Sequence, residues 1–375
     1  MSGEKILLSF CIPTYKNASN LQKVIEHILD IERSCFEVII CDDAPDESDT
    51  RCVIEGLNDK RLHYFENDRN LGYEKNLFRT IERADGKYVM PLADEDKVVE
   101  DNIHFVLDLI ETSDKDFSNI IAGYGPIPDD DFNSRWDKSV PAMEEFERGY
   151  DSLKAFVDHI PHQFADHTWK RNYIGGIVLK RGAIDLDVAS DYIGSLYIHN
   201  VLILQAMMSG NTVLSSRHLC LVDYYQYEGD HRFWSNYESS SLKLRMRLQK
   251  YRMKAISEIL KDDRSKSLYT HIEIRFAAKL AAWATLQKGT SLEEVRRVAF
   301  SSEIRPLDDI WNSREFKKLY LYYLAILPLP TNILKKNVRN GLIPRSSVRV
   351  CYHLAARLIP ESIDHRIRIW YGNNF

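Results

Sequence analysis

The first part of this chain predicts an α/β fold, a mixed, mainly parallel sheet with helices on both faces, followed by a mainly helical C-terminal region. Three observations carry this. Short apolar runs alternate with segments of helical spacing, each run stops at a polar cluster, and helical spacing alone continues beyond residue 240. At 375 residues the chain exceeds the size at which one core usually stops growing. We therefore expect one domain over residues 1–235 and a helical region over 236–375.

The first run, residues 5–12 (Lys-Ile-Leu-Leu-Ser-Phe-Cys-Ile), is nearly all apolar, as in a strand covered on both faces. Pro13-Thr14-Tyr15-Lys16-Asn17 cannot continue it. Ser19 with Gln22 reads as a capping box, ahead of Leu21, Val24, Ile25, Ile28 and Leu29 at helical spacing. The unit repeats with residues 36–41, which stop at Asp42-Asp43, and with Leu62-His-Tyr-Phe65. Asn70-Leu71-Gly72 leads into a helix marked by Leu77, Phe78, Ile81 and Ala84 and closed by Asp85-Gly86. A fourth strand, residues 87–92, delivers the triplet Asp94-Glu95-Asp96.

Clustered acids repel one another, so a hard divalent cation holding phosphate is one reading of that triplet. The other is a solvated turn capping the next helix. Ligands of such sheets bind beyond the carboxyl ends of the strands. Pro13-Thr14-Tyr15, Asp42-Asp43 and the acidic triplet all fall there, so they should converge on one crevice.

Composition narrows the classes. The cysteines at 11, 35, 41, 52, 220 and 351 form no CxxC pair, and Cys11 and Cys41 sit in apolar runs, which suggests a reduced, cytoplasmic protein. The N-terminal apolar segment reads as a strand and not as a signal peptide. The longest apolar run, residues 319–327, ends at Pro328 and Pro330, short of a membrane span. Residues 331–375 hold eight Lys or Arg against two acids, a net of +6 within a chain whose total is −5. This basic, Ile- and Leu-containing tail suits either a solvated helical face or peripheral contact with an anionic membrane.

Taken together, Ser9-Phe-Cys-Ile-Pro-Thr-Tyr-Lys-Asn17, Glu37-Val-Ile-Ile-Cys-Asp-Asp43, Asn70-Leu-Gly-Tyr-Glu-Lys-Asn76, Ala84-Asp-Gly-Lys-Tyr88 and Leu92-Ala-Asp-Glu-Asp96 resemble family 2 glycosyltransferases of the GT-A (Rossmann-like) fold. The bacterial surface-polysaccharide type is the setting this resemblance implies. A dinucleotide-binding reading is disfavoured, because no G-x-G-x-x-G follows the first strand.

The resemblance implies a nucleotide pocket at Pro13, Thr14 and Tyr15, with Tyr15 beside the base and Asp43 accepting from a uracil-type imide; Asp42 supports the turn. Asn76, and less clearly Lys75, would contact the donor from a helix N-terminus. Asp94-x-Asp96 matches the DxD motif. Asp96 would bind Mn²⁺ or Mg²⁺ bridging the diphosphate, Asp94 would hold the metal's waters or the donor, and Glu95 stands where many relatives have Asp. The implied partners are a nucleotide-diphosphate sugar, UDP-linked by preference, and a glycan or lipid-linked acceptor, with no nucleic acid; a homo-oligomer is compatible.

Beyond residue 110 the resemblance thins. Asp129-Asp-Asp131 reads as a solvated loop. Gly175-Gly176 resembles the paired small residues beside the donor sugar. An inverting transferase needs a general base, which the family supplies as Asp at the start of a helix that ends in Gly. Here that helix is residues 201–208, closed by Gly210, and the aligned position is His199. Histidine can serve, since its ordinary pKa of about 6.5 leaves it largely neutral at pH 7. Asp191 and Asp187 are the alternatives. His231, within an aromatic segment, is a further candidate metal or phosphate ligand.

Overall fold

The computed structural model describes residues 5–47, 49–113, 116–126, 143–146, 174–195 and 198–222, short pieces between 251 and 278, and 313–326. The chain divides into two compact units. One comprises Met1–Ile160, Thr168–Asn236 and Ile259–Ser265, the other Pro161–His167, Tyr237–Glu258 and Lys266–Phe375.

In chain order the elements are β1 (Leu8–Thr14), α1 (Ala18–Leu29), β2 (Phe36–Asp42), α2 (Thr50–Leu57), β3 (Leu62–Glu66), α3 (Tyr73–Arg83), β4 (Tyr88–Pro91), β5 (Lys97–Val98), α4 (Glu100–Thr112), β6 (Phe117–Pro126), β7 (Met143–Phe146), β8 (Ile177–Lys180), α5 (Leu186–Ser190), α6 (Ile198–Ser209), β9 (Asn211–Val222) and α7 (Arg314–Ile326). The strands form one mixed sheet in the order β3-β2-β1-β4-β8-β6-β9-β5, with β7 paired to β9. Strands β3, β2, β1 and β4 run parallel, with Thr14 opposite Asp42 and Cys11 opposite Pro91. β8 then pairs antiparallel with β4.

This order places the site. β2 and β3 lie on one side of β1 and β4 on the other, so the strand sequence reverses at β1. At such a switch point open α/β sheets bind ligands in a crevice beyond the carboxyl ends of the strands. Every residue of β1 and β2 is buried, as continuous apolar runs require when helices cover both faces. Phe10 and Phe36 meet edge to face across this pair, 5.5 Å between centroids. α3 packs on β1 and β2, and α6 on β6 and β8.

Several local expectations are corrected. α1 begins at Ala18 with Asn17 at its N-cap position, so Ser19 lies inside the helix, and Gln22 donates to Glu26 instead of closing a capping box. α3 ends on extended Ala84, so Gly86 is no left-handed cap. It is needed for close approach: a Cβ there would meet Ser9 Oγ at 2.5 Å and Ser9 N at 2.8 Å. α2 escaped the sequence reading although Val53, Ile54 and Leu57 form a short apolar stripe; it spans only eight residues, and those three side chains are half-buried, Ile54 and Leu57 against the core. The helix read at 201–208 begins earlier, at Ile198, which takes His199 into its first turn.

No described helix is long and apolar enough to cross a membrane. Asp129–Asp131, His231 and the basic segment 331–375 lie outside the described residues.

Candidate active site

The loop after β1 is tied to the loop after β4. Thr14 Oγ1 donates to Asp94 Oδ2 at 2.6 Å, and Asn17 Nδ2 donates to Asp94 Oδ1 at 2.9 Å. Burial pushes the Asp94 carboxyl up to about 6, against the opposing pull of these two hydrogen bonds. Lys16 between them adopts φ +55°, which turns the chain from strand to helix. Tyr15 is 48% exposed, and its ring carries the Lys16 ammonium 5.2 Å from the centroid. An accessible aromatic face at this point can stack a base.

Asp42 and Asp43 divide their work as their positions dictate. Asp42 is fully buried; it accepts the Ala44 amide in an Asx turn at 2.8 Å and the Tyr64 hydroxyl at 3.1 Å. Asp43 reaches across to the loop before α3 and accepts from Asn67 Nδ2 at 2.7 Å, Leu71 N at 3.1 Å and Gly72 N at 2.9 Å. Gly72, at φ +81°, supplies the left-handed backbone this loop requires. Asp43 N in turn donates to Thr14 O at 3.0 Å, so the loops after β1 and β2 are one unit.

Asn76 does not face outward. Its amide donates to Thr14 O at 3.2 Å and Cys41 O at 2.9 Å and accepts from Asn67 at 2.8 Å, which makes it a bolt between α3 and the ends of β1 and β2. Lys75 beside it is exposed.

The acidic triplet is not a helix cap. Asp94 and Glu95 form a turn, β5 intervenes, and α4 starts after Val99. Asp96 is 0% exposed. Its carboxylate packs where Gly175 has no side chain: a Cβ on Gly175 would meet Asp96 Oδ2 at 3.3 Å and Cys220 Sγ at 2.5 Å. The close approach at Gly175 is therefore to the acid and to β9. Among the described residues no three His, Cys, Asp or Glu side chains form a complete metal cage. Two hard carboxylates still fit a Mg²⁺-like cation, which commonly takes one or two protein carboxylates and completes its shell with substrate phosphates and water.

The base candidates stand apart. His199 lies in the first turn of α6 and is 5% exposed, on a helix whose residues through Met207 are all buried. Asp191 is exposed at the C-terminal end of α5, and Asp187 is exposed in its first turn. Sequence reasoning assigned no role to Asn17, Asn67 or Glu74. Glu74 had left a signal: it falls at helical spacing with Leu77, Phe78 and Ile81, a carboxylate on a buried stripe. A cavity of about 630 Å³ lined by residues 29–34 and 58–61 lies at the opposite, amino ends of β2 and β3 and contains none of these groups.

The sequence model of the glycosyl transferase family 2 matches residues 9–171. A putative teichuronic acid biosynthesis glycosyltransferase, TuaG of Bacillus subtilis, is 27% identical over 146 residues, which cover 38% of this chain and 56% of that protein. Abequosyltransferase RfbV of Salmonella typhimurium is 26% identical over 102 residues, 26% of this chain and 31% of its own length. The chain thus spans about half or less of the curated relatives it matches. Among solved structures, S. aureus TarS in complex with UDP has a TM-score of 0.54 at 12% identity, covering 91% of this chain and 93% of that one. That likeness is one of fold.

Proposed function

We propose that this chain, whose residues 9–171 match the sequence model of glycosyl transferase family 2, moves a sugar from a nucleotide-diphosphate donor, UDP-linked by preference, to a glycan or lipid-linked saccharide with inversion at the anomeric carbon. One observation carries the reading. The ends of β1, β2 and β4 are bound into one constellation at the switch point, Asp43 to Thr14 and Thr14 to Asp94.

In this reading Tyr15 stacks on the base, and Asp43 orders the loop before α3 while keeping acceptor capacity for an imide N–H. Asp94 and Asp96 would hold Mn²⁺ or Mg²⁺, and a cation there would supply positive charge to offset the negative charge developing on the leaving diphosphate. His199 or Asp191 takes the proton of the acceptor hydroxyl as its oxygen attacks the anomeric carbon; the bond to the diphosphate oxygen breaks, and the nucleoside diphosphate departs with its electron pair.

A panel of nucleotide sugars with Mn²⁺ or Mg²⁺, scored for thermal stabilisation and slow hydrolysis, tests this. A ligand at about 100 times its Kd should raise stability by about 2.7 kcal/mol, and Asp96→Ala should abolish the gain. Absence of stabilisation by every member would sink the transferase reading. His199→Ala and Asp191→Ala should retain donor binding, and the variant that keeps full turnover does not lack the base. A protein that binds donor yet never turns over would instead be a nucleotide-sugar scaffold, the reading that the missing aspartate at position 199 favours.

A further inference from the structure

Glu74 is 6% exposed in the first turn of α3. Its Oε1 accepts the Ser195 hydroxyl at 2.7 Å and its Oε2 accepts the Gly194 amide. The receiving turn is itself ordered. Asp191, Tyr192, Ile193 and Ser195 donate their amides back to Val188, Ala189, Ser190 and Tyr192, Tyr192 and Ser195 are buried, and Gly194 sits at φ +98°, where other residues are strained. Burying a carboxylate costs several kcal/mol unless it is fully hydrogen-bonded. A helix that needed only packing here would carry Leu or Met at position 74.

The same end of α3 has a second tie, since Gly72 N, just ahead of the helix, donates to Asp43 Oδ2 at 2.9 Å. A short continuous path therefore runs from Asp43 through the start of α3 and Glu74 to the turn 191–195. That turn begins at Asp191 and precedes α6 with His199.

We propose that Glu74 is a positioning residue: it pins the turn 191–195 to the helix of the donor pocket and so sets the distance between the donor and the proton-accepting group. This rests on the transferase reading above. The prediction is a loss in turnover, not in donor affinity.

The test uses the full chain and the variants Glu74→Ala, Glu74→Gln and Ser195→Ala, titrated with UDP and with GDP in Mn²⁺, assayed for kcat and KM, and followed by amide hydrogen exchange. Glu74→Ala should leave the nucleotide Kd within about twofold while kcat falls on the order of 10²-fold, the scale of a misplacement near 1 Å. Ser195→Ala should show a smaller fall, Glu74→Gln should recover part of the loss, and exchange at Gly194 and Ser195 should accelerate in Glu74→Ala. Should Glu74→Ala not fold, Ser195→Ala and Glu74→Gln carry the same contrast. Unchanged kcat, unchanged exchange, or Kd and kcat falling together would each overturn the assignment. A wild-type protein that takes up neither nucleotide sinks the transferase reading instead, and the exchange result then decides alone whether Glu74 holds the turn.

Discussion

Thr14 serves the site with two atoms: its hydroxyl holds Asp94, and its carbonyl takes the Asp43 amide and the Asn76 side chain. Thr14→Val keeps the shape and removes one donor from a carboxylate that burial already disfavours. We expect a stability loss of about 1–2 kcal/mol by urea denaturation, together with weaker nucleotide uptake, and Thr14→Ser should restore most of both. At this scale the sequence identified the participants but not always their duties. Thr14 and Asp94 were legible because strand-end position fixes them. The inward turn of Asp96 was not, because it depends on Gly175 and Cys220, far along the chain.

At the scale of elements, α3 and the turn into β4 hold the ends of the sheet in register. Asn76→Ala would strip partners from the buried carbonyls of Thr14 and Cys41 and from Asn67, so we predict about 2–3 kcal/mol of destabilisation with an unchanged m-value. At the other end, Glu37 accepts from Ser9 Oγ and the amides of Asp85 and Gly86. Gly86→Ala should therefore cost at least about 1–3 kcal/mol by overpacking. Gly182→Ala, where a Cβ meets nothing within 4 Å, should change the melting temperature negligibly. α1 and α3 were readable from their apolar stripes. α2 was passed over because its stripe, Val53, Ile54 and Leu57, covers only two turns.

For the molecule as a whole, burial sorts the cysteines. Burial pushes the Cys41 thiol up to about 12 and raises Cys11 and Cys220 well above the ordinary range, while Cys52 is exposed. Among the described cysteines, iodoacetamide at pH 8 should modify Cys52 first and reach Cys11, Cys41 and Cys220 only under denaturant, as read by peptide mass spectrometry. The sequence alone determined the α/β class, the succession β1, α1, β2, β3, α3 and β4 without α2, and the three polar clusters at strand ends, because periodicity and chain-breaking residues are local properties. Tertiary structure decided that the strand order reverses at β1, that Asn76 and Glu74 turn inward as ties, and that His199 is buried while Asp191 is exposed. Those outcomes depend on which surfaces meet across distant segments, and no local pattern encodes that.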